Sequence, residues 1–285
     1  MQSKIFSIAS LLLLLSLSNH LFAQQPIEYG SNKGKYLTIN NTKVYYEEYG
    51  KGTPLLLLHG GLSTISLFST AIPDLAKHFR VIVVDAPGEG RSEMADSVSF
   101  PLLATYSSKM IDLLGLDSLY VYGFSVGAIT ALHLAANRPD KVKMAVIHSG
   151  AFHYDGYGPG FGGDKVVPEM LEANPKFWLN EHLSKSPQKN EWKKYIRDFV
   201  KIFDNHAFIP EARLGQISAQ VLILQGDMDL VKTEHAVQMN RLIKGSQLAI
   251  LPSSTHFALY ENPELVKRTI IDFLLKKQPA FRLGM

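Results

Sequence analysis

Apolar and polar positions alternate along this chain in blocks that switch period. From Lys35 the pattern is strand-like: Tyr36–Ile39 and Val44–Tyr49 flank Asn40-Asn41, a plausible hairpin turn. Pro54–Leu58 and Val81–Val84 are continuous apolar runs, as expected of strands buried on both faces of a parallel sheet. Leu119–Tyr122, Val142–Ile147, Val221–Leu224 and Gln247–Leu251 complete eight predicted strands. Between them the spacing turns helical over Ser66–Phe79, Pro101–Leu114, Val126–Asn137, Thr233–Leu242 and Pro263–Lys276. Alternating strands and helices predict an α/β fold, a mostly parallel eight-stranded sheet with helices on both faces.

The alternation fails between Ser149 and Gln216. Tyr154–Gly163 is rich in glycine and aromatics, and Pro168–Phe208 carries two or three amphipathic helical patterns, including Trp192–Phe203. This predicts a helical cap inserted over 150–216 into a core formed by 35–149 and 217–277, with 278–285 as a tail. The N-terminus differs again. Lys4 is followed by an apolar Ile5–Leu17 and then Leu21-Phe-Ala23, the order of a secretory signal peptide over 1–23. That apolar run is short for a membrane span of roughly 20 residues, so an uncleaved anchor is the lesser reading. Residues 24–34 form a polar lead-in. The expectation is a secreted or periplasmic protein without a stable membrane anchor once the leader is removed.

Composition narrows the chemistry. With no cysteine, thiol nucleophiles, Cys-based zinc sites and a lipid anchor on an N-terminal cysteine are excluded. A net charge of +3 spread along the chain offers no electrostatic footprint for nucleic acid. No His/Asp/Glu cluster has metal-ligand spacing. Gly158–Gly163 follows no strand, so it does not fit a phosphate loop. Neither metal nor cofactor is expected.

The stretch that carries chemistry is Gly123-Phe-Ser125-Val-Gly127, where a β-rich run passes into an alanine-rich helix. A serine between two glycines at a strand-to-helix turn is a nucleophile elbow, because only glycine lets neighbouring backbone approach so tight a turn. Such a serine needs a base, an orienting acid and an oxyanion site. The candidate base is His256, past the last strand. The candidate acid is Asp229 or its neighbour Asp227, after Val221–Leu224; one of the two is expected to shape the turn. The candidate oxyanion donors are the amides of Gly61, in His59-Gly-Gly61, and of Val126, which begins the elbow helix. His59 reads as a loop-shaping residue, and Asp85 and Arg91 as braces of their turn. His148, at a strand end, and Tyr154, Tyr157, Phe161 and Trp178 in the cap are candidates for the substrate pocket. Phe152 and Phe177 belong to the same aromatic group.

With these motifs in order, the sequence resembles the α/β-hydrolase superfamily, in particular its serine esterases, lactonases, haloperoxidase-like perhydrolases and C–C bond hydrolases. His59-Gly-Gly61, Asp85-x-Pro-Gly-x-Gly-x-Ser92, Gly-Phe-Ser-Val-Gly and Gly226-Asp-x-Asp229 with Thr-His256 carry the likeness. The resemblance places the acid on Asp229. It implies a serine hydrolase that cleaves a small, fairly apolar carboxylic ester or lactone through an acyl-enzyme. A C–C, amide or peracid bond, or ligand binding without catalysis, are the alternatives. Ser125 argues against dehalogenase and epoxide-hydrolase relatives, which use aspartate at the elbow.

Overall fold

The structure is a computed structural model that describes residues 27–28, 30–158, 178–204 and 207–276. The leader over 1–23, residues 24–26 and 29 of the lead-in, the cap segment 159–177 and the tail over 278–285 lie outside the described residues.

Eight strands form one sheet: β1 Lys35–Ile39, β2 Thr42–Tyr49, β3 Pro54–Leu58, β4 Arg80–Val84, β5 Leu119–Phe124, β6 Val142–His148, β7 Gln220–Met228 and β8 Gln247–Thr255. Their order is β1-β2-β4-β3-β5-β6-β7-β8. The two β2 pairings, with β1 and with β4, are antiparallel, and all others are parallel. Asn40 and Asn41 turn the first hairpin with φ of 49° and 64°, the left-handed values a two-residue turn requires.

The apolar runs are buried on both faces, and the two-residue period of a strand sorts their side chains. Leu55 and Leu57 of β3 join Val81 and Val83 of β4 on one side, against Phe68, Ile72 and Phe79 and the closing helix Pro263–Leu274. Leu56, Leu58 and Ile82 face the other side. There they pack on helix α1, Phe100–Leu113, and helix α2, Val126–Asn137. Ala128, Ala131 and Ala135 of α2 are fully buried, so this helix lies close against the sheet. Its C-terminus comes before Pro139, whose ring disfavours helical backbone in the preceding residue.

Two elements differ from the sequence reading. Ser66–Phe79 is not one helix but a 3₁₀ turn, Ile65–Phe68, and a single helical turn, Ile72–Leu75. Pro73 sits in the first turn of the second piece, where its missing N–H breaks no helical hydrogen bond. β7 and β8 run four residues beyond their apolar cores. Gly226 makes this possible, since a Cβ there would come 2.0 Å from the Ser254 carbonyl oxygen. Those extensions are polar, so periodicity hides them.

Above the carboxyl ends of the strands lie α3, Trp178–Lys185, and α4, Trp192–Lys201. Tyr195, Phe199, Ile202 and Phe203 from α4 and its end join Phe100, Val126, Ile129, Tyr157 and Phe208 in a separate apolar cluster. The inserted segment is thus packed directly onto the start of the elbow helix.

Candidate active site

Ser125 sits between β5 and α2 with φ 54° and ψ −118°. This is a strained conformation for a residue with a side chain, of the kind held where surrounding structure over-determines it. Here the constraint is visible. The Ser125 amide donates to the His148 carbonyl at 2.9 Å. A Cβ on Gly123 would lie 2.1 Å from the Gly127 carbonyl oxygen, and one on Gly127 would lie 2.1 Å from that of Leu58. The two glycines are therefore required by backbone-to-backbone contact.

His256 follows β8, and its Nε2 lies 3.1 Å from Ser125 Oγ. Its Nδ1 lies 2.8 Å from Asp229 Oδ1. The partners assign the tautomer: Nδ1–H donates to the carboxylate, leaving Nε2 to accept from the serine hydroxyl. The Asp229 side chain is fully buried. Burial pushes its carboxyl up, but hydrogen bonds and charge from His256, the Ser149 hydroxyl and the Val231 amide outweigh this and hold it below the usual carboxylate range. The two aspartates take different positions. Asp227 is solvent-exposed and accepts the Ser254 amide at 3.0 Å, shaping the β7–β8 extension. Asp229 alone of the two reaches His256.

Gly60 and Gly61 bring the β3 loop against the elbow. A Cβ on Gly60 would lie 3.2 Å from Ser125 Cβ, and one on Gly61 would lie 3.0 Å from Val126 Cγ2. Among the described residues neither the Gly61 nor the Val126 amide donates to another backbone carbonyl. Val126 is also the first residue of α2, where the helix dipole favours negative charge. His59 is 3 % exposed, and both ring nitrogens are engaged with loop backbone. Its Nε2 accepts the Ala86 amide at 3.0 Å and its Nδ1 donates to the Gly60 carbonyl at 2.7 Å. Asp85 accepts the amides of Ile65 and Arg91. Both residues brace loops.

A cleft of about 270 Å³ opens over Ser125 and His256. Its walls are Leu67, Phe124, Phe199, Phe203, Leu230, Phe257 and Tyr260, with Gly60–Ser63 at one side. Among the described residues no lysine or arginine lines it. His148, Tyr154 and Tyr157, pocket candidates from the sequence, do not line it. His148 is wholly buried, its Nδ1 2.9 Å from the Tyr122 hydroxyl and its ring against Phe124. Burial pushes its pKa down to about 3, so it is neutral and packs behind the triad. Tyr157 is 6 % exposed and packs on Phe203 and Phe208, with Tyr154 half-buried against it. Phe152 stacks on His235. These aromatics serve the packing of the insertion. Phe161 and Phe177 lie outside the described residues, as does the side chain of Trp178.

Sequence reasoning missed Ser149, which donates to Asp229 Oδ2, and the aromatic walls supplied by Phe199, Phe203, Phe257 and Tyr260. The i, i+4, i+8 spacing of Tyr195, Phe199 and Phe203 marks one apolar face. It does not say what that face covers.

Comparison with known proteins agrees with this fold. The family model described as alpha/beta hydrolase fold matches residues 53–191. The chain has the α/β-hydrolase fold. The chain is 25% identical to the 2-hydroxy-6-oxo-6-phenylhexa-2,4-dienoate hydrolase of Burkholderia cepacia, covering 86% of this chain and 97% of the relative. It superposes on a meta-cleavage product hydrolase from Pseudomonas fluorescens with a TM-score of 0.72 at 19% identity, covering 86% and 98% of the two chains. The enol-lactonase of Burkholderia xenovorans superposes with a TM-score of 0.68 at 20% identity, covering 85% and 100%. At these identities the two structures show the shared fold.

Proposed function

We propose that this α/β-hydrolase-fold protein cleaves a carbon–carbon bond beside a ketone carbonyl in a small, largely apolar molecule, using Ser125 as nucleophile. The observation that carries the reading is the continuous Ser125–His256–Asp229 hydrogen-bonded line at the floor of an apolar cleft. The bond type is suggested by the relatives. A 6-oxo-dienoate contains no ester or amide, so its hydrolase breaks a C–C bond next to the oxo group.

In this mechanism Ser125 Oγ attacks the ketone carbon while His256 Nε2 takes the hydroxyl proton. The oxyanion lies toward the Gly61 and Val126 amides. Loss of one donor of this kind costs on the order of 3 kcal/mol in the transition state. As the carbonyl re-forms, the C–C bond breaks, and its electron pair passes to a second carbonyl conjugated with that bond, as in a β-diketone or the 2-oxo tautomer of a 2-hydroxy-6-oxo-dienoate, giving an enolate that His256 protonates. Water, deprotonated by His256, then hydrolyses the acyl-Ser125 to a carboxylic acid and free serine. Asp229 holds the imidazole tautomer and stabilises the imidazolium throughout.

A specific observation favours a second reading, hydrolysis of a neutral ester or lactone by the same steps. A dienoate brings a carboxylate, and no cation lines the described cleft to receive it. A panel comparing a 6-oxo-dienoate, a neutral β-diketone, p-nitrophenyl esters and a lactone separates the two readings. C–C cleavage predicts that kcat/KM for a ketone substrate exceeds that for the esters by tenfold or more, with the acid and ketone fragments found by mass spectrometry. An excess for ester or lactone contradicts it. The leader over 1–23 adds a proposal of export, for which the mature N-terminus is expected near Gln24; recovery of the protein only inside the cell with Met1 intact contradicts it.

A further inference from the structure

Leu62 directly follows Gly61 and has φ +54°, a conformation that a residue with a Cβ holds only where its surroundings over-determine it. The constraint comes from Glu89, in the Gly88-Glu89-Gly90 turn after β4. Glu89 is 2 % exposed. Its Oε1 accepts the Leu62 amide, and the Ser63 amide also hydrogen-bonds the carboxyl. The Leu62 N–H belongs to the peptide plane that begins at the Gly61 carbonyl carbon. Holding that plane fixes the Gly61 backbone and so the direction of its own N–H.

The other side of Glu89 faces the cap. The Tyr195 hydroxyl on α4 hydrogen-bonds the Glu89 carboxyl. Its ring lies so close over Gly88 (φ +86°) that a Cβ there would come 2.5 Å from Tyr195 Cε2. A second tie joins the same two parts, from the Thr64 hydroxyl to Glu181 Oε1 on α3 at 2.7 Å. We propose that Glu89 is a positioning residue: it holds the Leu62 amide on one side and the Tyr195 hydroxyl on the other, so that the oxyanion amide of Gly61 is set only when the cap is docked.

The charge state fits this role. Burial pushes the Glu89 carboxyl up to about 8, with Asp85 at the end of β4 raising it further and the Tyr195, Leu62 and Ser63 hydrogen bonds opposing. His59, at the end of β3, lies 3.6 Å away. Burial pushes it down to about 4, against which its bond to Gly60 and the charge of Glu181 act weakly. Glu89 therefore faces a neutral His59 and is itself neutral at pH 7. Ionised, it would place a negative charge one peptide unit from the amide that receives the oxyanion.

The inference rests on reading Ser125 as the nucleophile, and the test keeps the two apart. Hydrogen exchange by mass spectrometry is measured on wild type, Glu89→Gln, Glu89→Leu and Tyr195→Phe. In parallel, kcat and KM are measured with p-nitrophenyl butyrate between pH 6 and pH 10. Glu89→Leu and Tyr195→Phe are expected to speed exchange by about tenfold in peptides covering both 60–64 and 192–201, with 142–148 unchanged. Glu89→Leu lowers kcat by about 10- to 100-fold at nearly constant KM, in line with loss of an oxyanion donor. Glu89→Gln, which retains an acceptor oxygen, keeps kcat within about threefold at pH 7 and loses the decline in activity that wild type shows above about pH 8. Tyr195→Phe moves that decline to higher pH, because it removes a donor that favours the ionised carboxyl. Exchange at 60–64 unchanged in Tyr195→Phe, or a pH 8 decline that persists in Glu89→Gln, overturns the proposal; these two variants decide it even if Glu89→Leu does not fold. A wild type whose Ser125 resists a fluorophosphonate overturns the nucleophile instead, and the exchange result stands independently of it.

Discussion

Gly127→Ala tests whether the elbow is set by backbone contact. The added Cβ would lie 2.1 Å from the Leu58 carbonyl oxygen and 2.6 Å from that of His59, about 0.9 Å inside the 3.0 Å limit for the nearer one. No side chain can rotate away to relieve this, since both neighbours are main chain at the end of β3. The start of α2 must move off β3 by a comparable distance. Overpacking of this kind costs about 1–3 kcal/mol or more, and about 2–4 °C of Tm accompanies each kcal/mol in a domain somewhat smaller than this one. The same shift separates Val126 from Gly61. A misplacement of about 1 Å in a catalytic array can cost about 10²-fold in rate. Gly115→Ala is the control. Gly115 follows α1 with φ +64° and open space where a Cβ would go, so it loses about 1–2 kcal/mol from left-handed strain with no route to Ser125. Tm by calorimetry and kcat/KM on p-nitrophenyl butyrate, taken together, should show both variants destabilised and only Gly127→Ala losing about 10²-fold in activity. If Gly127→Ala keeps kcat/KM within threefold and Tm within 2 °C, the argument from backbone contact is wrong.

Asp229→Asn should lower kcat by about 10³- to 10⁴-fold by losing the tautomer control of His256, while Asp227→Asn stays within about threefold; the reverse order in steady-state kinetics would reassign the acid. Asp229 has a depressed pKa in the folded state, so its contribution to stability is full above the usual carboxylate range and is lost as pH falls through its lower, folded value. Urea unfolding from pH 7 downward should show wild type losing stability faster than Asp229→Asn across that window, and parallel curves would contradict a carboxylate held ionised by its hydrogen bonds. Ser149→Ala, which deletes a hydrogen bond to that buried carboxylate, should cost about 1.5–3 kcal/mol at pH 7. The same unfolding experiment checks it, and a cost below about 0.5 kcal/mol would show that Ser149 does not support the acid.

Legibility followed how local each constraint is. The Gly123-x-Ser125-x-Gly127 turn could be read because the requirement for glycine is contained within five residues and their immediate neighbours. The strands could be read because burial on both faces leaves continuous apolar runs. Asp227 and Asp229 could not be separated by spacing, since two residues of loop decide which carboxylate turns toward His256 and which toward Ser254. The polar ends of β7 and β8 were hidden for a related reason: their pairing is stabilised by Asp227 and by the close approach at Gly226 rather than by apolar burial. The cleft was the least legible part. Tyr157 and Phe199 have the same character in the sequence, yet one packs within the insertion and the other lines the space over Ser125. That distinction arises only when α4 packs on Val126. Glu89 occupies a variable place in a turn motif, and its role depends on Tyr195, more than a hundred residues later.

The central claim is that Ser125 is a nucleophile activated by His256 and Asp229. Intact mass spectrometry after a brief exposure to a fluorophosphonate tests it most directly. Wild type should gain one phosphonyl adduct, mapped to the peptide containing Ser125. Ser125→Ala should gain none, and His256→Ala should react at least about 10²-fold more slowly, as expected when a general base is removed. Equal labelling of wild type and Ser125→Ala, or an adduct mapped to another serine, would contradict the account.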